Sequence, residues 1–290
     1  MKRISLLIIL LGLSMQAGAQ SKRKKNNKVS YAKGTLFGYW GYNRSAYTKS
    51  DLRLVGPNYD FTLRDATAHD NPSPIDLKVY MDFKRITVPQ FNARVGYYFK
   101  DHYAVTFGYD HMKYIFDDGN KVLLDGTIAP GVDTVWSGTY NNEPVVTNRN
   151  NFHYENSNGL NYLHFELLRT DQWLRTRNKK FAISTSYGIG AGGLLSFNDF
   201  NFAQRFDRVT ISMSGFALSA HASARFEFFN HVFLQAEVSG GYMNQTRVRT
   251  RPNDRSAYAK QMYGYGMVNT VIGFFLYLRP ANGCNDCPHW

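Results

Sequence analysis

Cysteine is almost missing from this chain. There are two, Cys284 and Cys287, both in the last stretch of the sequence. That excludes a small fold framed by disulfides. Long apolar runs are missing too. Beyond the first twenty residues no run of about 18 apolar residues occurs, so no transmembrane helix is available. Acidic residues are in deficit, 22 against 34 Lys and Arg, for a net charge of +12. Such an excess points to a polyanionic partner. What the chain has in plenty is aromatics: 20 Tyr and 21 Phe, set among 24 Gly, with a negative mean hydropathy. Rich aromatics with weak average hydropathy suit a membrane barrel, whose strands alternate apolar and polar residues.

The first residues, MKRISLLIILLGLSMQAGAQ, carry a basic start, a short apolar run and an Ala17-Gly18-Ala19 cleavage site. They predict a signal peptide over 1–19 and an exported chain. Export turns the basic excess away from nucleic acid. It points to anionic headgroups and lipopolysaccharide phosphates instead. Residues 20–33, with SKRKKNNK, read as a basic periplasmic leader. Residues 34–279 read as the barrel, and 280–290 as a periplasmic tail.

Period-two patterns recur along the barrel region. They cover Thr35–Tyr47, Gln90–Phe99, Tyr103–Phe116, Leu160–Arg169, Phe181–Leu195, Ser214–Phe228, Val232–Tyr242 and Gln261–Leu278. On each, one face is apolar and the other polar or small, except that aromatic Thr35–Tyr47 alternates imperfectly. Thus Phe216, Leu218, Ala220, Ala222 and Ala224 share a side, with Ser219, His221, Ser223 and Arg225 opposite. Connections alternate in length. Lys100–His102 and Phe229–His231 are tight turns, and Thr170–Lys180 is moderate in length and basic. Thr48–Pro89, Asp117–Gly159, Ser196–Met213 and Asn244–Lys260 are long. With all long connections on one side, both termini fall on the short-turn side. The expectation is an all-β fold: a transmembrane antiparallel up-and-down β-barrel of about eight strands, with long extracellular loops and short periplasmic turns. Tyr59–Asp70 and Leu77–Phe83 also alternate. Counting both gives ten strands. Pro72 and Pro74 favour placing them in an extracellular extension instead.

YDFTLRDATAHD, followed by TVPQFNARVGYYFKDHYAVTFGYDHMKY and later NGLNY, resembles a family of exported outer-membrane β-barrel proteins of Bacteroidota. The resemblance spans most of the chain after the signal peptide. It implies the fold and a bacterial outer-membrane location, with no assigned reaction.

Several residue groups are candidates for chemistry. Arg94, Asp110, His164, Glu166, Arg225 and Glu237 all fall on lumen-facing positions. Charges turned inward must satisfy one another, which predicts a lumen network. Pairing Phe228 with Val232 sets Ser223 opposite Glu237 and Arg225 opposite Gln235; the Phe99–Tyr103 hairpin sets Asn92 opposite Asp110. His221, Ser223 and Glu237 supply the residue types of a base, a nucleophile and an orienting acid. In that they are similar to outer-membrane lipid A deacylases. Only His221-Ala222-Ser223 matches, and parity turns the group away from lipid. Arg247, Arg249 and Arg251 alternate and would share a face for lipopolysaccharide phosphates. Cys284 and Cys287 are expected to close a small disulfide. With His289 they also supply three metal donors, but no fourth is evident. Gly188, Gly190 and Gly192 alternate along a strand and open no helix, so they are no nucleotide loop. They are expected to admit close neighbours.

The sequence therefore predicts a cell-envelope barrel with a structural or surface-binding role, without catalysis, cofactor or metal. Its expected partners are outer-membrane lipid, lipopolysaccharide and the barrel-assembly machinery. A lipid-modifying barrel enzyme and a narrow pore are the alternatives.

Overall fold

The computed structural model describes residues 30–73 and 89–278. The signal peptide, most of the basic leader, Leu77–Phe83, and the tail with Cys284 and Cys287 lie outside the described residues. Thirteen strands are present among them, joined in one antiparallel sheet. Eight close on themselves: β1 (Thr35–Tyr47), β5 (Phe91–Lys100), β6 (Tyr103–Phe116), β9 (His153–Arg175), β10 (Phe181–Phe202), β11 (Arg205–Phe228), β12 (Val232–Arg251) and β13 (Asp254–Tyr277). Closure is made by β1 on β13, Thr35 opposite Tyr277 through Tyr47 opposite Tyr265. A closed sheet leaves no edge in the membrane, where an unpaired backbone group is costly.

Alternation decides which face meets what. Outward stand Ile189 (67% exposed), Phe165 (64%) and Val95 (62%), with Phe107, Leu218, Leu234, Ile272 and Leu276 beside them. So broad an apolar wall is rare on a soluble monomer. It is the wall of an outer-membrane barrel, with an even number of strands, the first beginning and the last ending on the short-turn side. Inward stand Arg94, Asp110, His164, Glu166 and Glu237, each 3% exposed or less.

The long connections are largely strand. Four further strands, β2 (Ser50–Gly56), β3 (Tyr59–Ala66), β7 (Lys121–Ile128) and β8 (Gly138–Val146), extend the sheet from the upper part of β13. β2 takes the place on β13 that β1 holds lower down. The two-residue β4 (Ala68–His69) bridges β1 and β6 above the start of β5. Tyr59–Ala66 therefore lies in the extension, and the barrel has eight strands rather than ten. Two segments expected as long loops are corrected. Ser196–Met213 and Asn244–Lys260 continue β10–β11 and β12–β13 upward into tight hairpins. The first turns at Ala203 and Gln204, both with positive φ (56° and 57°), a geometry that matches strand twist in a two-residue turn.

Above the membrane wall these strands form a crown with its own apolar core. Leu52, Leu54, Leu63 and Leu124 are fully buried. Phe61 of β3 packs on Phe202 of β10 with ring centroids 5.1 Å apart, and Trp136 stacks on Phe152 at 5.6 Å.

Candidate functional site: a charged belt in the lumen

The barrel interior is organised around Arg94 of β5. Its Nη1 donates to the Tyr39 hydroxyl (2.8 Å) and to Glu237 Oε1 (3.2 Å), and lies 3.2 Å from Glu166 Oε2. Its Nη2 reaches Asp110 Oδ2 at 3.2 Å. One guanidinium thus ties β1, β6, β9 and β12 to β5 through the centre. A buried charge is tolerated only when paired and hydrogen-bonded, and each carboxylate here has further partners. Asp110 accepts from Asn92 (2.5 Å) and is held by His164 Nε2 (3.1 Å). Glu166 accepts from Thr106 (3.2 Å) and faces His221 Nδ1 (3.3 Å). Glu237 accepts from Asn269 (2.8 Å) and Gln235 (2.9 Å).

Glycine makes room for this belt. A Cβ on Gly108 would stand 2.4 Å from the His164 ring, and one on Gly188 would stand 2.3 Å from the His221 ring. These small residues are what let two imidazoles fit inside a narrow barrel already filled with side chains.

Below the belt lies a second layer. Arg225 is buried among Phe233, Phe37 and Phe275, with its guanidinium carbon 4.4, 5.2 and 5.5 Å from their ring centroids. Its Nε donates to Gln235 (2.9 Å) and its Nη1 to Tyr98 (3.3 Å). Arg225 thus belongs to this layer rather than to the ion-paired belt. Glu227 accepts from Ser184 (2.7 Å) and Ser30 (2.6 Å) nearer the short turns. From the crown core down to this layer, the described interior is lined by buried side chains. Tyr39, Thr106 and Asn269 are the belt members that the sequence reading did not single out. Each sits on a lumen-parity position of its strand, and that parity was the available signal.

The three candidate catalytic residues are not assembled for catalysis. The register does set Ser223 opposite Glu237. The Glu237 carboxylate is taken up by Arg94, Asn269 and Gln235, and His221 bonds Glu166. Among the described residues Ser223 Oγ makes no hydrogen bond to His221 or Glu237. Nor do the three arginines share a face. Arg247 and Arg249 stay on the outer side, and a register shift between Arg249 and Arg251 turns Arg251 inward. Arg247 is exposed, stacks on Tyr258 (4.3 Å) and donates to the Arg255 carbonyl. Arg249 is half-buried and donates to the Pro252 carbonyl. Arg251 is buried, paired with Asp207 (2.8 Å) and bonded to the Phe202 carbonyl. It builds the crown.

No family model matches the chain, and no curated protein matches it in sequence. Similar solved structures are small barrels. The outer membrane protein OprG from Pseudomonas aeruginosa is 11% identical, with a TM-score of 0.38 over 87% of this chain and 100% of that one. The N-terminal β-barrel domain of Pseudomonas aeruginosa OprF is 9% identical, with a TM-score of 0.31 over 84% and 98%. The attachment invasion locus protein Ail of Yersinia pestis is 10% identical, with a TM-score of 0.31 over 84% and 99%. At such identities and TM-scores these likenesses carry no argument of their own; closure, register and the apolar wall establish an eight-stranded outer-membrane barrel.

Proposed function

We propose that this chain is a non-conducting barrel of the bacterial outer membrane whose work is done by its crown, at the cell surface. The observation that supports this reading most is the apolar core above the lumen. Phe61, Trp136, Phe152 and Phe202 join β3, the β7–β8 connection and the upper strands into one rigid body. A rigid scaffold that holds polar loops in place is a common seat of binding function. The tied lumen argues against transport, and the unactivated Ser223 argues against lipid hydrolysis. Insertion by the barrel-assembly machinery is part of the same reading.

The test is made in cells. The β7–β8 hairpin (121–146) is replaced by a short turn, and the strain is compared with a full deletion and its parent. The crown reading expects the shortened barrel to insert yet to reproduce the surface phenotype of the deletion. Full rescue by the shortened barrel would place the function in the wall instead.

A further inference from the structure

The short-turn end of the barrel is not level. Tyr103, the first residue of β6, pairs with Arg169, and β9 runs on to Arg175 before it turns. Residues 176–180, TRNKK, close this projecting hairpin. Thr176 Oγ1 donates to Asn178 Oδ1 (2.7 Å) and accepts from the Phe181 amide (3.1 Å). The Lys180 amide donates to the same Asn178 oxygen (3.1 Å), and Lys179 takes a positive φ of 58°. The turn is thus held by its own Thr and Asn, and its cations are left over. Arg177, Lys179 and Lys180 are all exposed. Among the described residues, none of their side chains has an ion pair or a hydrogen bond. The nearest acid along the chain, Asp171, is taken by Arg169 (2.8 Å).

Large apolar side chains stand beside these cations. The pairing of β9 with β10 slips between Gln172 and Leu174, so Trp173 is a bulged residue with no partner opposite. The bulge turns two successive side chains outward: Trp173 is 55% exposed and Leu174 48%. The indole is fixed, since its Nε1 donates to Thr185 Oγ1 (2.7 Å). On the neighbouring turn Phe229 is 62% exposed, and its amide donates to the Lys180 carbonyl (2.7 Å), which joins the two turns. An aromatic with an apolar body and a satisfied polar edge favours the headgroup level of a bilayer. Unpaired cations just beyond it favour phosphate. A water-soluble polyanion would need the cations alone; the exposed Trp173, Leu174 and Phe229 single out a lipid surface.

We propose that the β9–β10 turn is a docking surface for anionic phospholipid headgroups of the periplasmic leaflet. Trp173 and Leu174 seat it at the interface, and Arg177, Lys179 and Lys180 contact the phosphates. This rests on the reading of the chain as an outer-membrane barrel with its short turns in the periplasm.

The experiment is native mass spectrometry of the full-length barrel in mild detergent, stripped of lipid and titrated with phosphatidylglycerol or with phosphatidylcholine of the same chains. Heat-modifiable gel mobility is measured on every variant. Arg177→Ala, Lys179→Ala and Lys180→Ala together remove the cations of the turn. Lys49→Ala, Lys121→Ala and Arg208→Ala together remove the same charge from exposed positions of the crown. The expected result is a preference of the native chain for phosphatidylglycerol that the crown variant keeps. In the turn variant that preference should fall roughly tenfold. Equal preferences in the turn and crown variants overturn the site. So does a turn variant that keeps its phosphatidylglycerol adducts but no longer sediments with isolated peptidoglycan, which would assign the cations to the cell-wall polymer. If the mobility shift is absent from the native chain, it is the barrel reading that fails, and the site fails with it.

Discussion

Arg94 on β5 reaches Glu237 on β12 at 3.2 Å, across 143 positions of chain and through the middle of the lumen. Neither residue is on a neighbouring strand of the other. The contact exists only because β1 closes on β13, so it reports closure itself. The same guanidinium is shared by Asp110 and Glu166, so it ties strands on both sides of the lumen.

Arg94→Ala should therefore be costly. It leaves three carboxylates facing one another in a buried site, and breaking a buried ion pair from one side costs about 3–5 kcal/mol. A urea titration in detergent micelles should show a clear fall in the unfolding midpoint. An unchanged midpoint would mean that the belt does not hold the barrel.

Gly108→Ala tests the fit of His164. The new methyl would meet the ring, at 2.4 Å from Cε1. Forcing bulk into a packed interior costs about 1–3 kcal/mol. The imidazole should move off Asp110, with its NMR shifts changed, while the alternation of the strand is kept.

Phe202→Ala tests the crown. Phe202 packs on Phe61 (5.1 Å) and Tyr59 (5.3 Å) and is fully buried. Removing it should cost about 3–5 kcal/mol of local stability. Hydrogen exchange should quicken in β3 and β7 and stay slow in the lower halves of β10 and β11. Loss of protection throughout would mean that crown and barrel unfold as one unit.

Much of the barrel was legible in the sequence, and the reasons are local. β1 and β6 run over the expected residues, Thr35–Tyr47 and Tyr103–Phe116; the period-two pattern is clear in the lower half of β6 and imperfect in aromatic β1, where Phe37 and Tyr39 turn inward. Asn92 opposite Asp110 and Arg225 opposite Gln235 follow from hairpin register. The upper halves of β10 to β13 did not show. Bulges at Leu194/Leu195 and Gln245/Val248 shift parity, and Ala203-Gln204 is a turn without the usual Gly or Asn. The bonds from Arg94 to Tyr39 and Glu237 could not be read either, since they depend on closure rather than on sequence neighbours. The arginines at 247, 249 and 251 misled for the same cause as the strands: the register shift between Arg249 and Arg251 turns the last of them inward.

Glu155, in the crown, carries a pH dependence. Burial pushes its carboxyl up, but hydrogen bonds from His153 (2.6 Å) and Ser157 (2.7 Å) outweigh this and hold it below the ordinary glutamate value of 4.5. A group depressed in the folded state stabilises fully above its unfolded value. That contribution is lost as pH falls through the folded value. Protection factors for residues 153–157 should hold above pH 4.5 and decline as the solution is acidified below it. Glu155→Gln should flatten this dependence. An equal decline in that variant would assign the effect to another group.

The central claim is that the lumen is closed. Single-channel recording of the purified barrel in a planar lipid bilayer tests it most directly. The account predicts a silent bilayer for the native chain, with insertion verified independently by heat-modifiable mobility of the recovered protein. Reproducible open steps from the native chain would contradict it.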